Sequence, residues 1–154
     1  MKRIFLIFSI AAALTACNSG ENNNDSGITE NTELTPSLKD VAIQDSANFT
    51  TVTWVDSTFQ DVGDVKLGQT VEIPFVVKNT GSKPLIISSV QPGCGCTVAE
   101  KPEKPILADQ EDKIVATFNS EGQSEGEHIK TVSVTANTSP STTHTLSFRV
   151  NVVK

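Results

Sequence analysis

No run of apolar residues in this 154-residue chain is long enough to cross a bilayer as a permanent helix, which takes about 20 residues; the apolar run from Ile4 to Leu14 falls short. Past that run no segment keeps a helical period, so a helical bundle is excluded. There is no nucleophile elbow, phosphate loop, His-Glu-x-x-His helix or calcium loop, and a non-enzymatic role is therefore expected. Basic residues are scarce as well, 12 against 18 acidic, for a formal charge of −6. Nucleic acid and anionic head groups are poor partners for such a surface. Cysteine occurs three times, at positions 17, 94 and 96.

What the N-terminus does contain is a secretory signal: basic Lys2 and Arg3, the apolar run, and small residues before a cysteine. Leu14-Thr15-Ala16-Cys17 resembles the lipobox of bacterial lipoproteins, which implies cleavage after residue 16 and diacylglyceryl attachment to the Cys17 thiol. An ordinary signal peptide, leaving Cys17 as a free thiol, is the alternative. Several acyl chains, palmitate among them, would hold the protein at a membrane, since each buried methylene adds about 0.8 kcal/mol. Loss of Lys2 and Arg3 leaves ten basic against eighteen acidic residues, a mature charge of −8. Attachment is then expected to come from lipid, not from charge.

Residues 17–48 read as the lipidated cysteine and a flexible linker, because Asn18 to Gly27 holds no apolar residue and the remainder only scattered ones. A linker of this kind spans a root-mean-square distance of about 30 Å. From Phe49 the pattern changes to period two. Val71, Ile73, Phe75 and Val77 alternate with mostly polar neighbours, as do Leu146, Phe148, Val150 and Val152. Thr51 to Val55, Leu85 to Val90, Ile114 to Phe118 and Ile129 to Ala136 are further β-prone runs bounded by turn residues, with Trp54 a candidate core plug. About seven short strands over residues 49–154 predict an all-β, immunoglobulin-like β-sandwich, a small closed barrel being the alternative. Pro74 cannot donate to a ladder and is expected at an edge or an unpaired side. Asn79-Thr80-Gly81-Ser82 reads as a turn.

An ordered series of motifs narrows this. Val62 to Gly68, then Phe75-Val76-Val77-Lys78-Asn79-Thr80-Gly81, then Pro84-Leu85-Ile86-Ile87, resembles the Ig-like domains of the ciliary and centrosomal type and the relatives of the major sperm protein. With Cys94-Gly95-Cys96-Thr97, Asn119-Ser120 and Gly126 added, the chain is similar to the bacterial domain-of-unknown-function family 1573, found in Bacteroidetes lipoproteins. The resemblance covers residues 59–152 and implies the fold. It implies no activity, because a sandwich hosts many functions.

Cys94-Gly95-Cys96 carries the pointed chemistry, and three readings compete. One is a disulfide, favoured by an oxidising envelope and by Cys17 being spent on lipid; closure over two residues is expected to strain the ring and make the bond labile, with Gly95 supplying backbone freedom. The second is a soft-metal site, in which two thiolates grip Cu(I) or form half of a zinc site completed by His128 or His144. The third is two thiols packed without further chemistry, Gly93 and Gly95 serving the turn. No bound cofactor is otherwise expected.

The functional expectation is a membrane-anchored envelope module, tethered through Cys17, whose domain binds an unknown envelope protein or a glycan. A thiol-redox or copper-binding protein acting through Cys94 and Cys96 is the rival. Asn18 stands where enterobacterial inner-membrane retention uses aspartate, and Glu21 with Asp25 matches a surface-export code poorly. The expected address is the periplasmic face of the outer membrane, with the cell surface as the alternative.

Overall fold

The computed structural model describes residues 42–154. The signal peptide, Cys17 and the linker as far as residue 41 lie outside the described residues. Among the described residues no helix is long and apolar enough to cross a membrane.

One 3-10 turn at Ser46–Asn48 is capped by the Asp45 carboxylate, which accepts from the Ala47 backbone N–H. Eight strands follow: β1 (Val52–Trp54), β2 (Phe59–Lys66), β3 (Thr70–Asn79), β4 (Ile87–Pro92), β5 (Thr97–Glu100), β6 (Glu111–Asn119), β7 (Gly126–Ala136) and β8 (Thr143–Val153). They form two four-stranded sheets, in the orders β1-β3-β6-β5 and β2-β8-β7-β4. Neighbours are antiparallel with one exception, β2, which runs parallel to β8. The predicted sandwich is what these sheets build.

The period-two pattern explains which face of each strand is buried. Ile73, Phe75 and Val77 of β3 and Leu146, Phe148, Val150 and Val152 of β8 point inward and are almost fully covered. The neighbouring strands bury Ile114, Ala116 and Phe118 of β6 and Val132, Val134 and Ala136 of β7 in the same core. Phe118 and Phe148 meet edge to face, with ring centroids 6.0 Å apart. Each such side chain contributes about 1.5–3 kcal/mol by leaving water, so the two inner faces carry the stability. Trp54 is half-buried and packs against this core from its margin. Pro74 sits where β1 has already ended, so the N–H it lacks is missed by no neighbour, and its carbonyl accepts from Gln60 Nε2 at 2.6 Å.

Two buried asparagines hold the crossover from β3 to β4, and they account for two of the motifs. Asn79 has no exposed surface. Its Nδ2 donates to the carbonyls of Lys83 (2.8 Å) and Ile106 (2.9 Å), and its Oδ1 accepts from Thr50 Oγ1 (2.7 Å) and the Gly81 N–H (3.1 Å). Gly81 is required by closeness: a Cβ there would lie 2.2 Å from Thr50 Oγ1 and 2.7 Å from the Thr51 nitrogen. Asn137 clasps the Pro84-Leu85-Ile86 run, accepting from the Ile86 N–H (2.6 Å) and donating to the carbonyls of Pro84 (3.0 Å) and Asn48 (2.7 Å). Leu85 is thereby set into the core, where its backbone bridges Ile106. Ser120 does similar work at the other end, its hydroxyl donating to the carbonyls of Lys66 and Gln69.

Candidate functional site

The Cys94-Gly95-Cys96 loop joins β4 to β5, and so carries the chain from one sheet to the other. β4 reaches the loop through Gly93, whose N–H donates to the Thr131 carbonyl at 2.8 Å. A Cβ on Gly93 would stand 2.7 Å from Thr131 Oγ1, so any larger residue here requires the Thr131 side chain to move. Beyond it the Cys94 carbonyl accepts from the Thr97 N–H (3.4 Å) and the Cys96 carbonyl from the Asn119 N–H (3.0 Å). The loop is thus pinned to β7 before the cysteines and to β6 after them.

Cys94 and Cys96 are joined as a disulfide. Their Cα atoms are 5.4 Å apart, within the span of about 4.4–6.8 Å that disulfides ordinarily take. Gly95, expected to supply backbone freedom, lies outside the left-handed region, and a Cβ on it would meet nothing within 4 Å. The glycine of this loop in close contact with a neighbour is Gly93. A bond across so short a segment also does little for the fold. In the chain-entropy account, closing a three-residue loop contributes about 1.6 kcal/mol, against about 4.7 kcal/mol for a hundred-residue loop.

Both cysteines are half-buried, Cys96 resting against the core and Gly95 standing exposed between them. The residue that sequence reasoning passed over is Thr97. It is only 4% exposed, and its Oγ1 lies 3.6 Å from Cys94 Sγ and 3.9 Å from Cys96 Sγ. Disulfide sulfurs have no proton to give, so the hydroxyl is the donor. The signal was available: Thr97 is the residue directly after the second cysteine of the motif.

The two histidines lie elsewhere. His128 is tied to its own turn by a 2.7 Å contact between Nε2 and the Ser124 carbonyl. His144, at the start of β8, belongs to the opposite end of the sandwich. Its ring meets Trp54 edge-on at 5.8 Å, and its Nε2 is 2.7 Å from Thr138 Oγ1. Because the Thr138 hydroxyl gives its proton to the Ser141 carbonyl, it accepts from His144, which fixes the Nε2–H tautomer. Burial lowers the His144 pKa below the ordinary 6.5. A cavity of about 10 Å³ lies beside these rings, lined by Trp54, Val77, Leu85, Ile87, Val134 and His144 among others; Trp54 Nε1 is buried there without a partner. Among the described residues no three His, Cys, Asp or Glu side chains come together as a metal-holding group. Neither histidine therefore completes a site with the cysteine pair.

The two outer faces of the sandwich differ. On the β1-β3-β6-β5 sheet the register places Val55 beside Val76 and Pro74 beside Val115, with Val98 of β5 opposite Thr117 and so diagonal to Val115. This makes an oblique aliphatic band, at whose ends Val55 is 47% and Val98 62% exposed. Glu72, Glu100, Glu111, Lys78 and Lys113 border it. On the other sheet the outward residues of β2, β7 and β8 include a polar ladder, in which Arg149 bonds Asp61 and lies 3.6 Å from Glu127, and Asn151 donates to Asp64 at 2.7 Å; Ile129 (66% exposed) on β7 and Phe59 (45%) on β2 stand among them, with β8 between. The hydrogen bond from Arg149 holds the Asp61 carboxyl below the usual carboxylate range.

Comparison with known proteins places these features. A family model described as "Protein of unknown function (DUF1573)" matches residues 52–152, and a model of the prokaryotic membrane lipoprotein lipid attachment site matches residues 1–18. No curated protein matches the chain. Among solved structures, a protein of unknown function from Porphyromonas gingivalis W83 is similar at a TM-score of 0.59 and 15% identity. That match covers 70% of this chain and 49% of the other, so the chain spans about half the length of its neighbour. The ASH/PapD-like domain 7 of human CEP192 gives a TM-score of 0.46 at 15% identity, covering 68% of this chain and 85% of that one. The periplasmic chaperone SfaE gives 0.42 at 15% identity, over 66% and 56% of the two chains.

Proposed function

The chain belongs to the DUF1573 family and is a membrane-anchored lipoprotein, and from that premise we propose that its β-sandwich is a non-enzymatic binding module for another envelope protein. The observation that carries this reading is the aliphatic band on the outer face of the β1-β3-β6-β5 sheet; the exposed Ile129 and Phe59 of the other sheet stand apart, with β8 between them. An aliphatic band with a charged border is what protein interfaces bury. Valines and a proline, in place of exposed aromatic rings, favour a polypeptide over a glycan.

The lipid on Cys17 would hold the module at the periplasmic face of the outer membrane, a reading supported by Asn18 following the cysteine.

A photo-crosslinking residue placed at Val98, with Thr145 on the opposite face as control, tests the binding reading in intact cells. A discrete adduct from position 98, absent from position 145 and abolished by Val76→Lys, is the expected result. Equal labelling from both faces, or none from either, would refute it. An adduct at twice the chain mass would identify the partner as a second copy.

A further inference from the structure

We infer that the Cys94–Cys96 disulfide is a thiol-exchange site, able to pass its bond to a pair of thiols on another polypeptide, with the Thr97 hydroxyl serving the sulfur that leaves. Three observations converge. The two cysteines are half-buried, not fully buried, and the exposed Gly95 between them offers no side chain to cover the bond. Its loop is pinned on both sides by backbone hydrogen bonds that do not involve sulfur, from Gly93 to Thr131 and from Asn119 to Cys96, so opening the bond need not release the strands. And a buried hydroxyl with no covalent part in the bond is aimed at both sulfurs, nearer to Cys94.

Exchange proceeds when a thiolate attacks one sulfur and the other departs as a thiolate, faster when the departing thiol is more acidic. Thr97 donates to Cys94, and a hydrogen bond to the charged form lowers a thiol's pKa. Cys94 is therefore the leaving group and Cys96 the sulfur attacked. The incoming thiolate bonds to Cys96 Sγ, the Cys94–Cys96 bond breaks, and its electron pair stays on Cys94 Sγ under the Thr97 hydroxyl. The second thiolate of the incoming polypeptide then attacks its own sulfur in the mixed disulfide, closing a disulfide there and releasing Cys96 as a thiolate. Two protons given up by the polypeptide end on Cys94 and Cys96. The polypeptide dithiol is oxidised and the chain's disulfide is reduced, one bond for one bond.

The mature lipidated protein in detergent micelles, mixed with a reduced synthetic peptide bearing two cysteines, provides the test. After acid quenching and alkylation, intact mass should show the chain gaining two alkylated thiols as the peptide loses two. Early in the reaction, peptide mapping should find the synthetic peptide on Cys96 and the alkyl group on Cys94. Thr97→Val should slow transfer about tenfold near neutral pH and raise the apparent pKa of the reduced Cys94, while Thr97→Ser restores both, as expected for a hydrogen bond to a charged sulfur. An intact bond after prolonged mixing with the native circular dichroism retained would overturn the inference, as would the synthetic peptide trapped on Cys94. Equal rates for Thr97→Val and the parent would remove Thr97 from the mechanism.

Discussion

Replacing Asn79 by alanine removes a side chain that satisfies four polar groups at once, and the cost follows from which of them water can rescue. The carbonyl of Lys83 and the N–H of Gly81 are only partly buried, so solvent can replace their bonds. Thr50 Oγ1, 2.7 Å from the amide, is buried and loses its partner outright, whereas the buried Ile106 carbonyl, at 2.9 Å, keeps the Leu85 N–H. A stranded buried group costs about 1–3 kcal/mol and an ordinary lost hydrogen bond about 0.5–1.5 kcal/mol, so Asn79→Ala should destabilise by about 2–4 kcal/mol. That is a large share of the roughly 5–15 kcal/mol that holds a domain together. Asn79→Asp keeps the acceptor for Thr50 and Gly81 but turns a carboxylate oxygen toward the Lys83 and Ile106 carbonyls. It should be at least as damaging at neutral pH and should recover in part on acidification. The assay is urea unfolding of the mature chain carrying Cys17→Ser, followed by the fluorescence of Trp54, the single tryptophan. The midpoint should fall with little change of slope. A loss below about 1 kcal/mol for Asn79→Ala would refute the reasoning, since it would mean that the crossover holds without its clamp.

Three further outcomes follow from the same geometry. His144 has a depressed pKa in the fold, so the unfolded chain binds its proton more readily; the stability it contributes is complete above about pH 6.5 and is lost as pH falls through the folded value. His144→Gln should therefore flatten the decline in melting temperature between pH 7.5 and 5, and an unchanged decline would contradict the assignment. Gly81→Ala should cost about 1–3 kcal/mol because the strand carrying Thr50 must move, whereas Gly95→Ala, open on all sides, should lie within about 0.5 kcal/mol of the parent in the same urea assay. Cys94→Ala with Cys96→Ala should lower stability by no more than about 2 kcal/mol by the same measurement, since so short a loop constrains the unfolded chain little; a larger loss would make the bond structural.

How much of this could be read in advance depended on whether burial and sequence kept the same rhythm. β3 and β8 were plain because every second residue is buried from Ile73 to Asn79 and from Leu146 to Val152. β2 was not, since of its eight residues only Val65 is buried and a bulge between Asp61 and Gly63 shifts the phase midway. Its parallel pairing with β8 joins residues nearly ninety apart, which no local turn signal announces. β5 is four residues long, too short for any period to show. Asn79 and Asn137 looked like turn residues by composition, yet their amides are interior parts whose partners lie far along the chain. At the site, the pair Cys94 and Cys96 stood out from its spacing. The supporting contacts, Gly93 against Thr131 and Thr97 against both sulfurs, depend on β7 and β6 being neighbours of the loop, and spacing cannot express that.

The aliphatic band gains weight from what the sheet edges lack. An open sandwich exposes four edge strands, any of which could recruit a partner by adding a strand. Here each edge is blunted. β1 and β5 offer three and four residues, too few for a stable ladder. β2 carries its bulge at Asp61/Gly63 with Asp61 and Asp64 alongside, and β4 has a register shift between Ile87 and Ser89 and ends in Pro92. Short strands, bulges, charges and proline are the devices that keep sheets from joining edge to edge. A chain that guards its edges in this way leaves its faces for association, and the band ending in Val98 and Val55 is the continuous aliphatic one, since Phe59 and Ile129 on the other sheet are separated by β8. Val98→Lys should therefore weaken partner binding far more than Ala99→Pro, a change that blocks the β5 edge while leaving the face. If Ala99→Pro proved the more damaging in a fold that kept its native circular dichroism, the partner would be adding a strand and the face would be incidental.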